Sequence, residues 1–431
     1  MTKRAWYQLP ICVIVIPLIF IQVCGALQAN AQMDSLKITL HDAEQIFLQK
    51  NLSLLAQRYN IDIAKAQVIQ AKLYNNPNVQ VIGNLYNAEQ KKILDVSNKT
   101  GEYIISAQQL IILAGKRNKQ IKLAETGTLL QENKFVDLLR TLRFSLRSDF
   151  YQLFFLQNSI NAYATQIGFL EKLNEAYSGL LLKGIVTLKD AVRIKSLLYS
   201  LKAEQATLQN QYNDLNAELQ LLLQNNNAYI LPVADSLSTG IDIKHYSLQS
   251  LIDTAYTNRF DLKLAQNTIT YNQQNYLFQK ALATPDITVG AQYDKRGSFI
   301  ENASFFTLAM DLPFLNKNQG NIKAAKINID QSQTQYKQQQ AMVENEVQRA
   351  YLKVINTDKI LQSFDPAFRD QLKKLLQGVT ENFQKKNISL LEFTDFYESY
   401  KQNILQFNQL QNDRMQAIET LQFAIGKPLS N

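Results

Sequence analysis

The sequence predicts a mainly α-helical protein with a small β part, built from two tandem copies of one unit. The segment Asn51-Leu52-Ser53-Leu54 is echoed 208 residues later by Arg259-Phe260-Asp261-Leu262. Only 8 prolines and 14 glycines occur in 431 residues, which favours long uninterrupted helices. Each half also carries short runs of alternating apolar and polar residues, typical of β-strands. A duplication of this mixed kind is rare among soluble enzymes.

The first 31 residues are predicted to be a secretory signal peptide. Lys3 and Arg4 precede an apolar stretch from Ile11 to Ile21, and Ala29-Asn30-Ala31 supplies a cleavage site with small residues. An uncleaved membrane anchor is the alternative, but this stretch is short for a membrane-spanning helix.

Both cysteines of the chain, Cys12 and Cys24, lie in this leader. The mature protein is therefore predicted to contain no disulfide and no thiolate metal site. Lipid attachment at Cys24 remains an alternative to cleavage after Ala31, although Val23 is bulkier than the residue that usually precedes a lipidated cysteine.

The first unit is predicted over residues 32–224. It begins with a helix from about Leu40 to Lys72, followed by two strands at about 78–110. A long helix lies between Gly115 and Gly179, where no proline occurs and apolar residues recur every 3.5 positions on average. At about 1.5 Å per residue this helix would be roughly 95 Å long. A returning helix from about Leu188 to Leu223 completes the unit.

Residues 225–246 are predicted to form a linker, which contains Asn225-Asn226-Asn227 and Pro232. The second unit, residues 247–431, repeats the order of the first. Its predicted elements are a helix at Leu248–Leu282, strands at about 286–312, a long helix at Asn321–Gln377 and a returning helix at Leu390–Ile425.

The strand segments are predicted to turn an apolar face toward lipid, because nine to ten residues of strict alternation is the pattern of a membrane-spanning strand. The predicted lipid-facing residues are Val289, Tyr293, Leu308 and Met310. Ordinary hairpins packed on a core are the alternative, but no segment remains that would provide that core. Four strands cannot close a barrel, so a membrane location requires several copies of the chain.

Three motifs resemble the TolC family of outer-membrane efflux proteins, and the resemblance covers essentially the whole mature chain. The motifs are Leu312-Pro313-Phe314-Leu315-Asn316-Lys317-Asn318-Gln319-Gly320, Ala114-Gly115-Lys116-Arg117 and Ala424-Ile425-Gly426-Lys427-Pro428-Leu429. The first two resemble the CzcC and CusC branch of heavy-metal efflux. Leu52 and Phe260 depart from the family pattern, since many relatives have a proline there.

The resemblance implies a homotrimer with four strands per chain, which gives a 12-stranded barrel in outer-membrane lipid above a helical tunnel in the periplasm. It implies a periplasmic adaptor of the membrane fusion type and an inner-membrane pump of the RND type as partners. The implied cargo is metal cations or drugs. Protein secretion through a type I exit duct is an alternative, and a non-channel coiled-coil structural protein of the periplasm is another.

The resemblance also places a constriction at the turns between long and returning helices. Its implied gate residues are Glu392, Asp395, Asp190 and Arg193, with opposite charges pairing across adjacent turns. Its implied adaptor-docking residues are Gly184, Thr187, Asn387 and Ser389. The alternative for each acid is an ordinary role in the first turn of a helix, where the helix dipole stabilises negative charge.

No cofactor, metal site or enzymatic activity is predicted. His41 and His245 are the only histidines, and neither has a nearby cysteine or second histidine in sequence. Gly115-Lys116 lacks the remaining residues of a phosphate-binding loop. Without its leader the chain carries a net charge of about +6, too dilute to predict nucleic-acid binding. Arg140, Arg143 and Arg147 share one helix face, where they either line a tunnel or, as we favour, pair with acids of a neighbouring helix.

Overall fold

The computed structural model describes residues 34–233, 241–296, 300–365 and 367–429. The predicted leader, residues 1–31 with Cys24, lies outside the described residues, as does the part of the predicted linker from 234 to 240.

The first repeat contains one helix much longer than the others, α3, which spans 67 residues or about 100 Å. Its elements in chain order are β1 (Asp34–Ile38), α1 (Leu40–Lys50), α2 (Leu52–Ala71), β2 (Asn78–Gly83), β3 (Tyr86–Asn87), β4 (Lys92–Ile93), β5 (Glu102–Ile111), α3 (Lys116–Leu182), α4 (Leu188–Leu223) and β6 (Ala228–Pro232).

The second repeat follows the same order after a short 3₁₀ turn at Ile243–His245. Its elements are α5 (Leu248–Asn258), α6 (Phe260–Leu282), β7 (Ile287–Arg296), β8 (Ile300–Met310), α7 (Gln319–Gln362), α8 (Phe368–Gln384) and α9 (Leu390–Ile425). The returning helices α4 and α9 have the predicted bounds. None of the helices in the described ranges combines the length and the apolar character needed to cross a membrane.

The first helix of each repeat is broken in two, where the sequence predicted a single helix. Asn51 and Arg259, at equivalent positions, both have extended backbone. The Asn51 side chain accepts a hydrogen bond from the Leu54 N–H at 3.1 Å, so it caps the start of α2. Asn51 and Arg259 also each donate a hydrogen bond to a carbonyl in the last turn of the returning helix of their repeat. Asn51 Nδ2 donates to the Leu222 carbonyl at 3.0 Å, and the Arg259 guanidinium donates to the Ala424 carbonyl at 3.2 Å.

The second long helix is also broken, contrary to the prediction of one helix from Asn321 to Gln377. Helix α7 ends at Gln362, and α8 begins at Phe368. The sequence between them contains Pro366, and a proline disfavours helical backbone in the residue before it.

Three β features differ from the prediction. β2 has six residues rather than nine or ten. The loop between β2 and β5 contains the small β3–β4 hairpin. The predicted linker contains β6, which pairs in parallel with β1 over Asp34–Ile38 and Ala228–Pro232.

The four long strands form one antiparallel sheet in the order β2-β5-β7-β8. The two hairpins have the same register: Val79 pairs with Ala107, and their counterparts Ile287 and Met310 also pair. The hairpins join through β5 and β7, where Ile111 pairs with Ile287. β2 and β8 are the edges of the sheet.

The helices follow the strand order. α3 packs against α2 and α6, and α6 packs against α7, so α2 and α7 lie at the two sides. Each repeat has its own core between its first, long and returning helices, centred on Phe47, Phe150 and Tyr212 in the first repeat and on Val347 and Ile418 in the second.

Ion pairs across α3 join the two repeats. The Arg147 guanidinium on α3 binds the buried Glu419 carboxylate on α9 at 2.6 Å and Glu44 on α1 at 2.9 Å. Burial disfavours the charge on Arg147, but the two carboxylates outweigh burial and raise the pKa of Arg147 above its ordinary value. Arg140 binds Asp137 at 2.7 Å and Asp261 on α6 at 3.4 Å. The predicted pairing of this arginine face is thus confirmed.

Replacing Arg147 with Met should strongly destabilise the joint between repeats, because it leaves the Glu419 carboxylate buried without its cation. We expect a loss of about 3 to 5 kcal/mol in the free energy of unfolding. Arg143, one helical turn away, is the matched control, since it is more exposed and lies 3.9 Å from Glu44. Arg143→Met should cost less than about 1 kcal/mol. Equal losses for the two variants, followed by the helical circular dichroism signal during denaturation, would contradict this assignment.

Candidate functional site

The register of the sheet gathers apolar side chains on one face. Paired residues of antiparallel strands point to the same side of a sheet, so Val289 shares a face with Leu308 and Ile287 with Met310. The same face includes Ala291, Tyr293 and Phe306 on β7 and β8 and continues across β2 and β5 through Val79, Val81, Ile105, Ala107 and Ile111. Its polar members are Gln109, opposite Val289, and Ser304, opposite Tyr293. Its members at the edge strands are open to solvent in the single chain, with Leu308 64% and Phe306 76% exposed.

The opposite face of the sheet is more polar. Its residues include Gln80, Ser106, Gln108, Thr288, Gly290, Gln292, Asp294 and Thr307, together with the apolar Ile82, Ile104, Leu110 and Phe305. A soluble sheet covers its apolar face with helices or a second sheet, whereas here that face is uncovered and forms one broad exposed patch. A patch of this size marks a contact with a membrane or with another protein.

The turns between long and returning helices share one backbone geometry. After α3, the N–H of Gly184 donates to the Leu181 carbonyl at 2.9 Å and that of Ile185 to Leu180 at 3.0 Å. Gly184 has a positive φ of 69°. This is the Schellman arrangement, which satisfies the last carbonyls of a helix and favours glycine at the left-handed position.

The second turn repeats this arrangement with a different residue at the left-handed position. The N–H of Lys386 donates to the Phe383 carbonyl at 3.0 Å and that of Asn387 to Asn382 at 2.9 Å. Lys386, not Asn387, is the counterpart of Gly184 and has a φ of 62°. The sequence analysis named Asn387 and not Lys386 at this turn, because lysine is unusual at a left-handed position.

The predicted acids lie in the first turns of the returning helices. The Thr187 hydroxyl donates to the Asp190 carboxylate at 2.7 Å. The Ser389 N–H donates to the Glu392 carboxylate at 2.8 Å and, with the Ser389 hydroxyl, holds the pKa of Glu392 below its ordinary value. Thr187 and Ser389 are therefore helix caps.

The remaining predicted gate residues, Arg193 and Asp395, are exposed. Within the described part of the single chain, no ion pair joins Arg193 to Asp395 or Glu392 at 4.0 Å or less, so the predicted pairing between turns is not made inside one chain.

The two turns expose different chemistry. Leu182, Ile185 and Leu188 stand out from the first turn, and Leu182 is 90% exposed. The second turn exposes Lys385, Lys386, Glu392 and Asp395, with Leu391 as its exposed large apolar residue. Sequence reasoning missed this asymmetry, which becomes visible only when burial separates the apolar residues of the turn from those of the core.

An aromatic cluster lies just above the turns and joins all four helices there. Phe383 stacks on Phe393 with ring centres 4.4 Å apart, and the buried Tyr397 hydroxyl donates to the Gln166 carbonyl at 2.9 Å. The buried Lys401 ammonium binds Glu204 on α4 at 3.0 Å and Glu398 at 2.6 Å. Burial disfavours the Lys401 charge, but both carboxylates outweigh it and raise the pKa of Lys401. The turns are thus held on a rigid base.

The described residues contain no group of three or more His, Cys, Asp and Glu side chains that could hold a metal ion. The His245 side chain is largely exposed and lies 3.8 Å from Asp242. At the strand-to-helix junction, Lys116 is buried against Asp286 at 2.7 Å, and Arg117 covers the Tyr74 ring at 4.1 Å. These contacts place the Gly115-Lys116 motif at the turn from β5 into α3.

Residues 251–427 match the family model of outer membrane efflux proteins. The fold is similar to those of solved outer-membrane channels. The Campylobacter jejuni CmeC outer membrane channel superposes with a TM-score of 0.71 at 14% identity, covering 90% of this chain and 85% of that one. The open state of the Neisseria gonorrhoeae MtrE outer membrane channel gives a TM-score of 0.67 at 15% identity, with 90% and 89% covered.

CusC, solved in a study of folding and transmembrane channel formation, gives a TM-score of 0.66 at 19% identity, with 93% and 96% covered. Likeness at these identities establishes the fold, and the predicted mainly α, TolC-like fold with a small β part is confirmed. A search of curated proteins by sequence gives no significant match.

Substitutions at the left-handed positions should move stability in opposite directions. Lys386→Gly removes the strain of a side chain at positive φ and should stabilise the chain by about 1 kcal/mol. Gly184→Lys introduces that strain and should cost a similar amount, since nothing lies within 4 Å of a Cβ at Gly184 and no clash is added. The thermal midpoint of the helical signal measures both variants. A lower midpoint for Lys386→Gly would contradict the assigned geometry.

Proposed function

We propose that this chain is one subunit of an outer-membrane channel that conducts substrates passively from the periplasm to the exterior. The observation that carries the proposal is the uncovered apolar face of the four-stranded sheet, in register across all four strands. In lipid this face meets hydrocarbon while the polar face meets water. The match of residues 251–427 to outer membrane efflux proteins supports the same location.

The sheet requires further copies of the chain in a membrane. β2 and β8 each leave a row of backbone groups unpaired, and such an edge is not tolerated in hydrocarbon. Pairing β8 of one copy with β2 of the next removes both edges when the ring closes. Three copies supply 12 strands, as the resemblance to the TolC family implies, and are well above the minimum of about eight for a barrel.

The helices support the same ring. Helix α2, at the side of the chain, carries an exposed apolar stripe with steps of three and four residues. Its members are Leu52, Leu55, Tyr59 and Ile63. This spacing is that of a helix seam that packs on a partner helix. A neighbouring copy would cover the stripe with its α7, the helix at the opposite side.

The conduit is proposed to work with an energised inner-membrane pump of the RND type and a periplasmic adaptor. The turns after α3 and α8 lie at the far end of the helical body from the sheet. The exposed Leu182 and Ile185 of the first turn offer an apolar contact for the adaptor, beside Gly184 and Thr187, and Asn387 and Ser389 offer the polar counterpart.

The proposed cargo is metal cations or drugs. The motifs at 114–117 and 312–320 resemble the heavy-metal branch, and Glu392 and Asp395 from every copy would form a ring of carboxylates that attracts cations. Asp190 and Arg193 of a neighbouring turn are proposed to pair with this ring and hold the entrance closed.

Charge on the apolar sheet face should prevent assembly. Val289→Arg places a cation in hydrocarbon at a cost of about 2 to 4 kcal/mol near the bilayer centre, and should reduce the membrane-extracted oligomer. The adjacent Thr288→Arg lies on the opposite face and is the matched control, which should assemble normally. Equal yields of oligomer from the two variants, quantified after detergent extraction, would show that the face is wrongly assigned.

Neutralising the acid ring should open the entrance. Glu392→Gln with Asp395→Asn keeps the capping geometry at Ser389, because glutamine also forms a capping box, but removes the charge. We expect higher single-channel conductance in planar bilayers and weaker block by multivalent cations. Glu381→Gln, at an exposed position near the same turn, is the control. If conductance and block both stay at wild-type values, these residues do not form the gate.

The adaptor contact is tested at the first turn. Ile185→Arg should abolish efflux while leaving oligomer assembly and membrane insertion intact, because its side chain is exposed and supports no core. A deletion strain complemented with the variant reports efflux as resistance to metals and drugs. The matched variant Lys189→Arg, near the same turn, should restore resistance. Full resistance with Ile185→Arg at normal expression would remove this turn from the docking site.

A further inference from the structure

The apolar alternation of β8 continues beyond the end of the strand. Phe306, Leu308 and Met310 lie on the apolar face, and Leu312 and Phe314 extend the same step of two. These last residues lie in the connection to α7, where Phe314 is 77% and its neighbour Leu315 94% exposed. Large apolar side chains at such exposure in a short connection indicate a surface that is covered in the assembled protein.

The first repeat contains a paired version of this connection. Its counterpart of Phe314, by a constant offset from the Gly115 and Asn318 helix caps, is Ile111, which pairs with Ile287 of the next hairpin. Beyond it, the Leu113 N–H donates to the Asp286 carboxylate at 2.8 Å, and the buried Lys116 ammonium binds the same oxygen at 2.7 Å. The following hairpin therefore pairs with this connection, and Ile111 is 43% exposed against 77% for Phe314.

The second connection lacks a following hairpin, because β8 is the edge of the sheet. The residues that would repeat the contacts of Ile111, Leu113 and Lys116 with the following hairpin are all present and exposed. Gln319 is the counterpart of Lys116, Asn316 that of Leu113, Asn78 that of Asp286 and Val79 that of Ile287. These residues are equivalent because both hairpins share one register, with Val79 opposite Ala107 and Ile287 opposite Met310.

We infer that β8 lengthens to Phe314 on assembly and pairs with β2 of a second copy of this chain, with Phe314 opposite Val79 and Leu312 opposite Val81. The lengthening requires the Phe314 N–H to release the Leu312 carbonyl, to which it donates at 2.9 Å in the single chain. The Asn316 N–H and the Gln319 amide then meet the Asn78 side chain of that copy. This inference rests on the proposed function, and adds to it the register and the chemistry of the joint between copies.

The joint inside the chain is ionic, and the joint between copies is built from amides. This difference has a physical reason. Lys116 and Asp286 belong to one chain, so their charges are paired once that chain has folded. Asn78 and Gln319 can meet only when a second copy is present. Until then, an unpaired charge at the edge of a membrane-embedded sheet would cost far more free energy than an unpaired amide.

Cysteine crosslinking in isolated membranes tests the register. Phe314→Cys combined with Val79→Cys places the two sulfurs on directly opposed strand positions between copies, within disulfide range. We expect crosslinked dimers and trimers on non-reducing gels. Phe314→Cys with Val81→Cys is two residues out of register and should crosslink at much lower yield. Ile111→Cys with Ile287→Cys should crosslink within one chain and is the positive control.

Preferential crosslinking through Val81 would overturn the register. An extracted oligomer that conducts but crosslinks in neither pair, while the control forms, would overturn this inference and leave the proposed channel intact. A chain that remains monomeric in the membrane would refute the proposed function as well.

The amide joint has a separate test. Asn78→Asp with Gln319→Lys should rebuild, between copies, the ion pair that Lys116 forms with Asp286. The double variant should raise the temperature at which the oligomer dissociates in detergent, whereas each single change should lower it. A double variant no more heat-resistant than the single variants would contradict the contact between Asn78 and Gln319.

Discussion

The proposed assembly depends on one constraint: a four-stranded sheet with an uncovered apolar face cannot lie in a membrane with an unpaired edge. Within the chain, β5 and β7 meet that constraint by pairing across the two repeats, which makes one sheet of the two hairpins. The helices then follow the strand order, so α2 and α7 carry the open sides of the sheet down the length of the body. In the proposed ring, one rotation about the axis brings β8 and α7 of one copy against β2 and α2 of the next.

The two repeats use one design with different side chains. Asn51 and Arg259 break equivalent helices and cap equivalent carbonyls, but only Arg259 carries a charge, which it shares with Asp261 and Glu346. Arg147 and Arg140 then tie α3 to α9 and α6. These buried pairs orient the repeats rather than adding much net stability, because the desolvation of paired charges offsets most of their attraction.

Much of this architecture follows from the amino-acid sequence. The bounds of α4 and α9, the length of α3 and the face occupied by Val289 and Leu308 follow from periodicity, since burial of a stripe or a face acts on every turn of the pattern. The breaks at Asn51 and Arg259 were missed because neither a proline nor a glycine marks them. They become visible through contacts with Leu222 and Ala424, which are distant in sequence.

The candidate site was only partly predictable. Thr187, Ser389 and the acids behind them follow from capping chemistry. The left-handed Lys386 and the buried Lys401 could not be predicted, since propensity argues against both and tertiary contacts decide them. The β1–β6 pair was missed for a similar reason, because a parallel pair of short strands at 34–38 and 228–232 leaves no local signal.

A structure by electron cryomicroscopy of the full chain extracted from outer membranes tests the proposed ring most directly. We expect three copies around one axis, with 12 strands in a closed sheet and β8 of each copy beside β2 of the next. A particle in which β2 and β8 remain unpaired, or in which the apolar sheet face packs against protein instead of detergent, would contradict it.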